Sequence, residues 1–216
     1  MNFAIIAQQL VSGMGSSLMI FVLTLLFSMP LGLLVAFGRM SKIKPLQAVI
    51  KVFIAILRGT PLMLQLLVVN FAPYYLFRIS LPRWYRFAAI IIGFSINYAA
   101  YFAEIYRSGI ESIPKGQYEA ASVLEYNKNQ TFFRIIFPQM VKRVLPPVTN
   151  EVITLVKDTS LAFVLAYEEM FTVAKQIASA RTSIMPLFVA GVFYFIFNAV
   201  VAFAMERIEK KLSYYH

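Results

Sequence analysis

The sequence predicts an all-helical, polytopic membrane fold of about five transmembrane helices, and three observations predict it. The 216 residues are 60% hydrophobic, with a mean hydropathy of +0.71, against roughly 45–50% apolar content in soluble domains. Uncharged or nearly uncharged runs recur along the chain at the length of about 20 residues that crosses a hydrocarbon core. The basic residues behind the net charge of +10 fall between those runs and form no single stripe or tail, a pattern of membrane orientation and not of nucleic-acid binding.

Taken in order, the first span is the uncharged run Gly15 to Gly38. A basic turn with Arg39, Lys42, Lys44 and Pro45 follows, and the second apolar segment, 46–72, carries Lys51 near its start and Arg58 inside it. The third span covers 84–106. Lys115 to Arg134 is polar and helix-compatible, too charged to cross. The fourth stretch, 144–166, contains Asn150, Glu151, Lys157 and Asp158, and the fifth, Met185 to Met205, is uncharged. Residues 1–13 hold no Lys or Arg, so no secretory n-region is predicted. With no repeat, low-complexity tract or long linker, one integral domain over 1–216 is expected.

Five spans place the termini on opposite sides. Thirteen Lys and Arg lie on the side of the 39–51 turn, the 107–143 loop and the C-terminal segment, and five lie on the other side. The positive-inside rule therefore expects the N-terminus outside and the C-terminus in the cytoplasm. Tyr74, Tyr75, Trp84 and Tyr85 cluster where an outer aromatic belt would stand.

Several chemistries are poorly supported. There is no cysteine, and the single histidine is His216, which leaves no basis for thiol chemistry, cysteine metal sites or a Ser-His pair. No GxxxxGK loop is present to cradle nucleotide phosphates. An ion-coupled transporter using Glu104 and Asp158, or a membrane enzyme, remain as rival readings.

Ionisable groups within spans are expensive and therefore candidates for function. Glu104 is the first acid of the chain, and Asn97, Tyr101 and Glu104 recur at helical spacing on one face. That face could accept an ammonium group, or Glu104 could simply pair with Arg107 three residues on. Asp158 is the only aspartate, next to Lys157, Thr159 and Ser160. A direct pair with Lys157 is disfavoured, because helical neighbours point about 100° apart. RGTP at 58–61 should break the second span, freeing backbone groups that only protein or cavity water can satisfy. Arg58 there could meet a carboxylate or hold the bend, and Arg83 and Arg86 could steer an anion or snorkel at the interface. Pro114 suits the first turn of a helix whose Tyr118, Ala121, Ser122 and Glu125 could face a partner.

The segment EAASVLEYNKNQTFFRIIFPQM at 119–140 resembles the EAA loop of permease subunits of ATP-binding-cassette (ABC) importers, and the match runs on through PPVTNEVITLVKDTSL at 146–161. RGTPLMLQL at 58–66 and AEIYRSGIESIPKGQYEAA at 103–121 are similar to the polar amino acid branch of that family. The resemblance implies a type I importer permease whose 114–140 loop is a cytoplasmic coupling helix, with Gly116, Glu119, Ala120, Ala121, Leu124 and Glu125 docking on a separate ATPase. It implies pathway lining by Thr60, Met63 and Gln65, with Asp158 near the pathway. It implies no cofactor in this chain, with ATP and Mg on the partner. The expected partners are two ATP-binding subunits, a second permease copy or close homologue, an extracytoplasmic solute-binding protein, a polar and possibly cationic amino acid, and lipid of the bacterial cytoplasmic membrane. One departure stands out: Glu125 occupies the position where the family usually has a glycine, so a more continuous helix is expected there.

Overall fold

A computed structural model describes residues 3–212, and among them every regular element is helical. α1 (Phe3–Arg39) contains the predicted first span but starts twelve residues earlier, because residues 5–14 stay uncharged and send Ile6 and Leu10 into the core. At 37 residues it is about 55 Å long.

The second apolar segment is two helices, α2 (Lys44–Gly59) and α3 (Leu62–Phe77), with a bend of 111° between them. The break has a local cause. A residue before proline is pushed out of the helical region, and Thr60, which precedes Pro61, sits at φ −121°, ψ 148°. α4 (Tyr85–Glu111) is the central helix, packed against α1 along most of its length and also against α2, α3 and α7. Phe94, Tyr98 and Phe102 on it are among the largest fully buried side chains.

Small residues set the α1–α4 distance. A Cβ on Gly32 would stand 2.8 Å from the Cβ of Phe102 and 3.1 Å from the carbonyl oxygen of Ala99, so only glycine allows this approach. The remaining elements are α5 (Lys115–Val123), α6 (Lys128–Gln130), a π-helical turn over Thr131–Ile136, α7 (Phe137–Asp158), a 3₁₀ turn over Thr159–Leu165, α8 (Met170–Arg181) and α9 (Met185–Leu212).

α1 from Ile5, α4 and α9 are each long and apolar enough to cross a bilayer, and the bent α2–α3 pair qualifies as a fourth crossing taken together. α7, which carries the predicted 144–166 segment, is not apolar enough by composition: Lys142, Arg143, Glu151, Lys157 and Asp158 all lie on it. It is instead sheltered by protein, with Val144, Val148, Val152, Leu155 and Val156 in the core.

α8 has no counterpart in the sequence reading. It is tied down by Glu169, a fully buried carboxylate that accepts from the backbone N–H groups of Phe171 (2.7 Å) and Thr172 (2.6 Å). The same carboxylate accepts from the hydroxyls of Thr172 at 2.8 Å, Tyr194 at 3.0 Å and Ser17 at 3.4 Å. One acid thereby caps α8 and joins it to α1 and α9.

Candidate functional site

The α2–α3 break frees backbone carbonyls, and two amides from the predicted set take them up. Gln65 Nε2 donates to the carbonyl oxygens of Leu57 (2.9 Å) and Thr60 (3.1 Å) and to Thr60 Oγ1 (2.9 Å). Asn97 Nδ2, from α4, donates to the same Leu57 oxygen (3.1 Å) and to Gln65 Oε1 (3.0 Å). Thr60 Oγ1 in turn donates to the carbonyl of Ile56 at 2.8 Å. Thr60, Gln65 and Asn97 are thus one network that satisfies the broken backbone and fastens it to α4. Met63 stands exposed on the first turn of α3.

Arg58, at the end of α2, is exposed, and its guanidinium lies over the ring of Tyr101 at 5.1 Å from the centroid. It also interacts electrostatically with Glu104 and Glu151. Asp158 accepts from the Tyr98 hydroxyl at 2.7 Å and makes no direct ion pair with Lys157, although the neighbouring ammonium acts on it electrostatically. Glu151 stands on the same helix, within electrostatic range of Asp158. They are seven residues apart, two turns of one helix face. That spacing was the available signal for Glu151, which the sequence reading left without a role. The result is a guanidinium on the α2 end, a phenol on α4 and two carboxylates on α7, gathered around the break.

Glu104 is placed differently. Arg107 reaches its carboxylate at 2.7, 3.1 and 3.2 Å, and Arg39 at the end of α1 stands 3.9 Å away. Arg107 also pairs with Glu111. Of the two readings of Glu104, the geometry is that of the ion pair, and it ties the end of α1 to the end of α4. Arg86 donates to the carbonyl of Ala166 at 3.3 Å, fixing the loop after the 3₁₀ turn, while Arg83 lines an open cavity with Tyr74 and Tyr75.

At the Arg39 end of the bundle, α5 begins after Pro114, as expected. The expected continuous helix through Glu125 does not form. α5 ends at Val123, and Glu125 takes the left-handed conformation at φ 57°. Tyr126 N–H donates to the Ala121 carbonyl and Glu125 N–H to that of Ser122, both at 3.0 Å. This is the Schellman closure, whose left-handed position is usually glycine. Asn127 then starts the next helix with a capping box to Gln130. Two opposed caps within four residues force the bend whatever the side chain at 125. Gly116, Glu119, Ala120, Leu124 and Glu125 are exposed, whereas Ala121 is fully buried and cannot itself face a partner.

A profile described as "Binding-protein-dependent transport system inner membrane component" matches residues 28–214. The L-cystine transport system permease protein TcyB of Bacillus subtilis (strain 168) is 36% identical over 196 residues, covering 90% of this chain and 82% of that protein. The arginine transport system permease protein ArtQ of the same organism is 30% identical over 205 residues, with 94% and 92% covered. A crystal structure of an amino acid ABC transporter with histidines superposes with a TM-score of 0.87 at 28% identity, covering 98% of this chain and 99% of that one. The fold, the broken span, the bent loop and these similarities agree: the chain belongs to the family of binding-protein-dependent transport system inner membrane components.

Proposed function

We propose that this chain is the permease subunit of an ABC importer for a polar amino acid. The observation that carries the proposal is the charge arrangement at the α2–α3 break, where Arg58 lies over Tyr101 of α4 and Tyr98 of the same helix holds Asp158 of α7, with Glu151 in electrostatic reach of Arg58. An amino acid presents a carboxylate and an ammonium to such a lining at the same time. Arg58 receives the α-carboxylate, for which a guanidinium is suited, and Glu151 and Asp158 receive the cationic groups. With Glu104 committed to Arg107, Glu151 and Asp158 are the acids left for a cationic group of the cargo, with Lys157 beside Asp158 as a second base. The similar proteins named for cystine and arginine, and the amino acid transporter structure with histidines, support a polar amino acid as the cargo.

Two ATP-binding subunits dock on the 114–140 loop and supply ATP and Mg, so this chain carries no cofactor of its own. A second copy or close homologue completes the pathway, and an extracytoplasmic binding protein delivers the cargo. With α7 taken as a fifth crossing sheltered by the other helices, the N-terminus faces outward and the C-terminus the cytoplasm, in accord with thirteen basic residues on the loop side against five. Pushing on α5 moves α4 and α7 together, because Arg143 Nη1 donates to the Ser112 carbonyl at 2.6 Å and Gln139 reaches Gln117 at 3.3 Å.

Competition uptake tests the specificity. The complete importer in proteoliposomes should take up arginine, lysine or histidine in preference to glutamine and cystine, and Glu151→Gln or Asp158→Asn should lower uptake of the cationic cargo at least tenfold. Unchanged preference and rate in both variants would remove the two acids from the cargo site.

A further inference from the structure

Glu125 combines three features that the coupling role of the loop does not by itself require. It holds a left-handed backbone at φ 57°, a conformation that costs a residue with a Cβ and that glycine adopts freely. Its side chain is exposed, and among the described residues none gives it a hydrogen bond or ion pair, although Lys128 is only three positions away. It also follows directly on Val123 and Leu124, which are 82% and 65% exposed, with Phe133 at 65% nearby in sequence on the same loop. These apolar residues lie outside the long apolar helices, where lipid would account for them.

Left-handed backbone alone is not unusual here. Arg78, Ala166 and Thr182 adopt it too, each closing a helix. The difference lies in placement, because Glu125 sets an uncompensated negative charge at the rim of an exposed apolar knob. Exposed charges at the rim of an interface govern partner choice more than stability.

We propose that the Glu125 carboxylate is a partner-recognition group that pairs with a Lys or Arg side chain of the ATP-binding subunit. The proposal rests on the reading of the 114–140 loop as the docking surface for that subunit. Val123 and Leu124 supply contact area that any such subunit could use. Glu125 supplies the sign of charge that selects the cognate one.

Binding of the cognate ATP-binding subunit to the permease in nanodiscs, measured at low and high salt, tests this. Glu125→Gly removes the charge and relieves the backbone, while Glu125→Gln removes the charge and keeps the backbone demand. Both should weaken binding about fivefold at low salt, with the difference from wild type shrinking at 0.5 M salt, as screening of an exposed pair requires. Wild-type binding by both variants, or tighter binding by Glu125→Gly with no change in Glu125→Gln, would overturn the proposal. Val123→Asp separates this from the docking reading. If binding survives Val123→Asp as well, the loop is not the docking surface and both ideas fall. If Val123→Asp abolishes binding while the Glu125 variants bind normally, only the recognition role falls.

Discussion

Gln65 and Asn97 show how a side chain with the composition of a ligand group can be consumed by architecture. Each amide was a candidate for lining the pathway, and each is spent on the carbonyl of Leu57 and on the other. Gln65→Leu keeps the volume and removes the amide, leaving the Thr60 oxygen without its donor and the Leu57 oxygen with Asn97 alone, while Asn97 loses its acceptor on Gln65. It should lower the stability of the folded permease by about 1–3 kcal/mol, read as a loss of unfolding temperature in detergent, with uptake falling in step. A loss of uptake with unchanged stability would show that Gln65 contacts cargo.

Glu104 and Arg107 allow a sharper residue-scale comparison. Each side chain is 20–25% exposed, so the pair is partly screened and its coupling should be about 1 kcal/mol in a double-mutant cycle. Glu104→Gln should reduce yield and stability, Arg107→Gln likewise, and the double variant should recover part of the loss. Additive losses would contradict the pairing, and a collapse of uptake in a stable Glu104→Gln variant would return Glu104 to the cargo site.

At the scale of elements, the α1–α4 contact and the α8 cap are the two joints on which the bundle depends. Gly32→Leu drives a side chain into Phe102 and the Ala99 carbonyl, and overpacking of this kind costs about 1–3 kcal/mol or prevents assembly. Gly191→Leu is the matched control, since nothing lies within 4 Å of a Cβ there. The first variant should lose monodisperse yield in size-exclusion chromatography and the second should not. Glu169→Ala should release α8 from α1 and α9. It strands two backbone N–H groups and takes the acceptor from the Thr172 and Tyr194 hydroxyls, a loss of at least about 2 kcal/mol, checked by hydrogen exchange across 170–181.

The whole molecule was legible in its sequence where one signal dominated. α1, α4 and α9 followed from long uncharged or nearly uncharged runs, and the break at RGTP followed from the proline restricting Thr60. α8 was not legible, because Met170–Arg181 is short, mixed in polarity and held by Glu169, whose partners Ser17 and Tyr194 are far away in sequence. The bend at Glu125 was missed because its side chain argued against a left-handed turn, while the deciding evidence was the Schellman closure on one side and the Asn127 capping box on the other. Within the candidate site, residue type singled out Thr60, Gln65 and Asn97, but only packing shows that these side chains close the broken backbone. Glu151 became visible through Arg58, which the fold brings across from a distant helix.

On the proposed function, this permease moves solute only when a separate ATP-binding subunit drives it. The direct measurement is uptake of radiolabelled arginine into proteoliposomes containing this chain, its extracytoplasmic binding protein and its ATP-binding subunits, with ATP and Mg enclosed on the side of the 114–140 loop. The account predicts uptake against a gradient that requires ATP, the ATP-binding subunits and the binding protein together, and no phosphate release from this chain alone. Concentrative uptake by this chain without ATP-binding subunits, driven by an ion gradient, would contradict it.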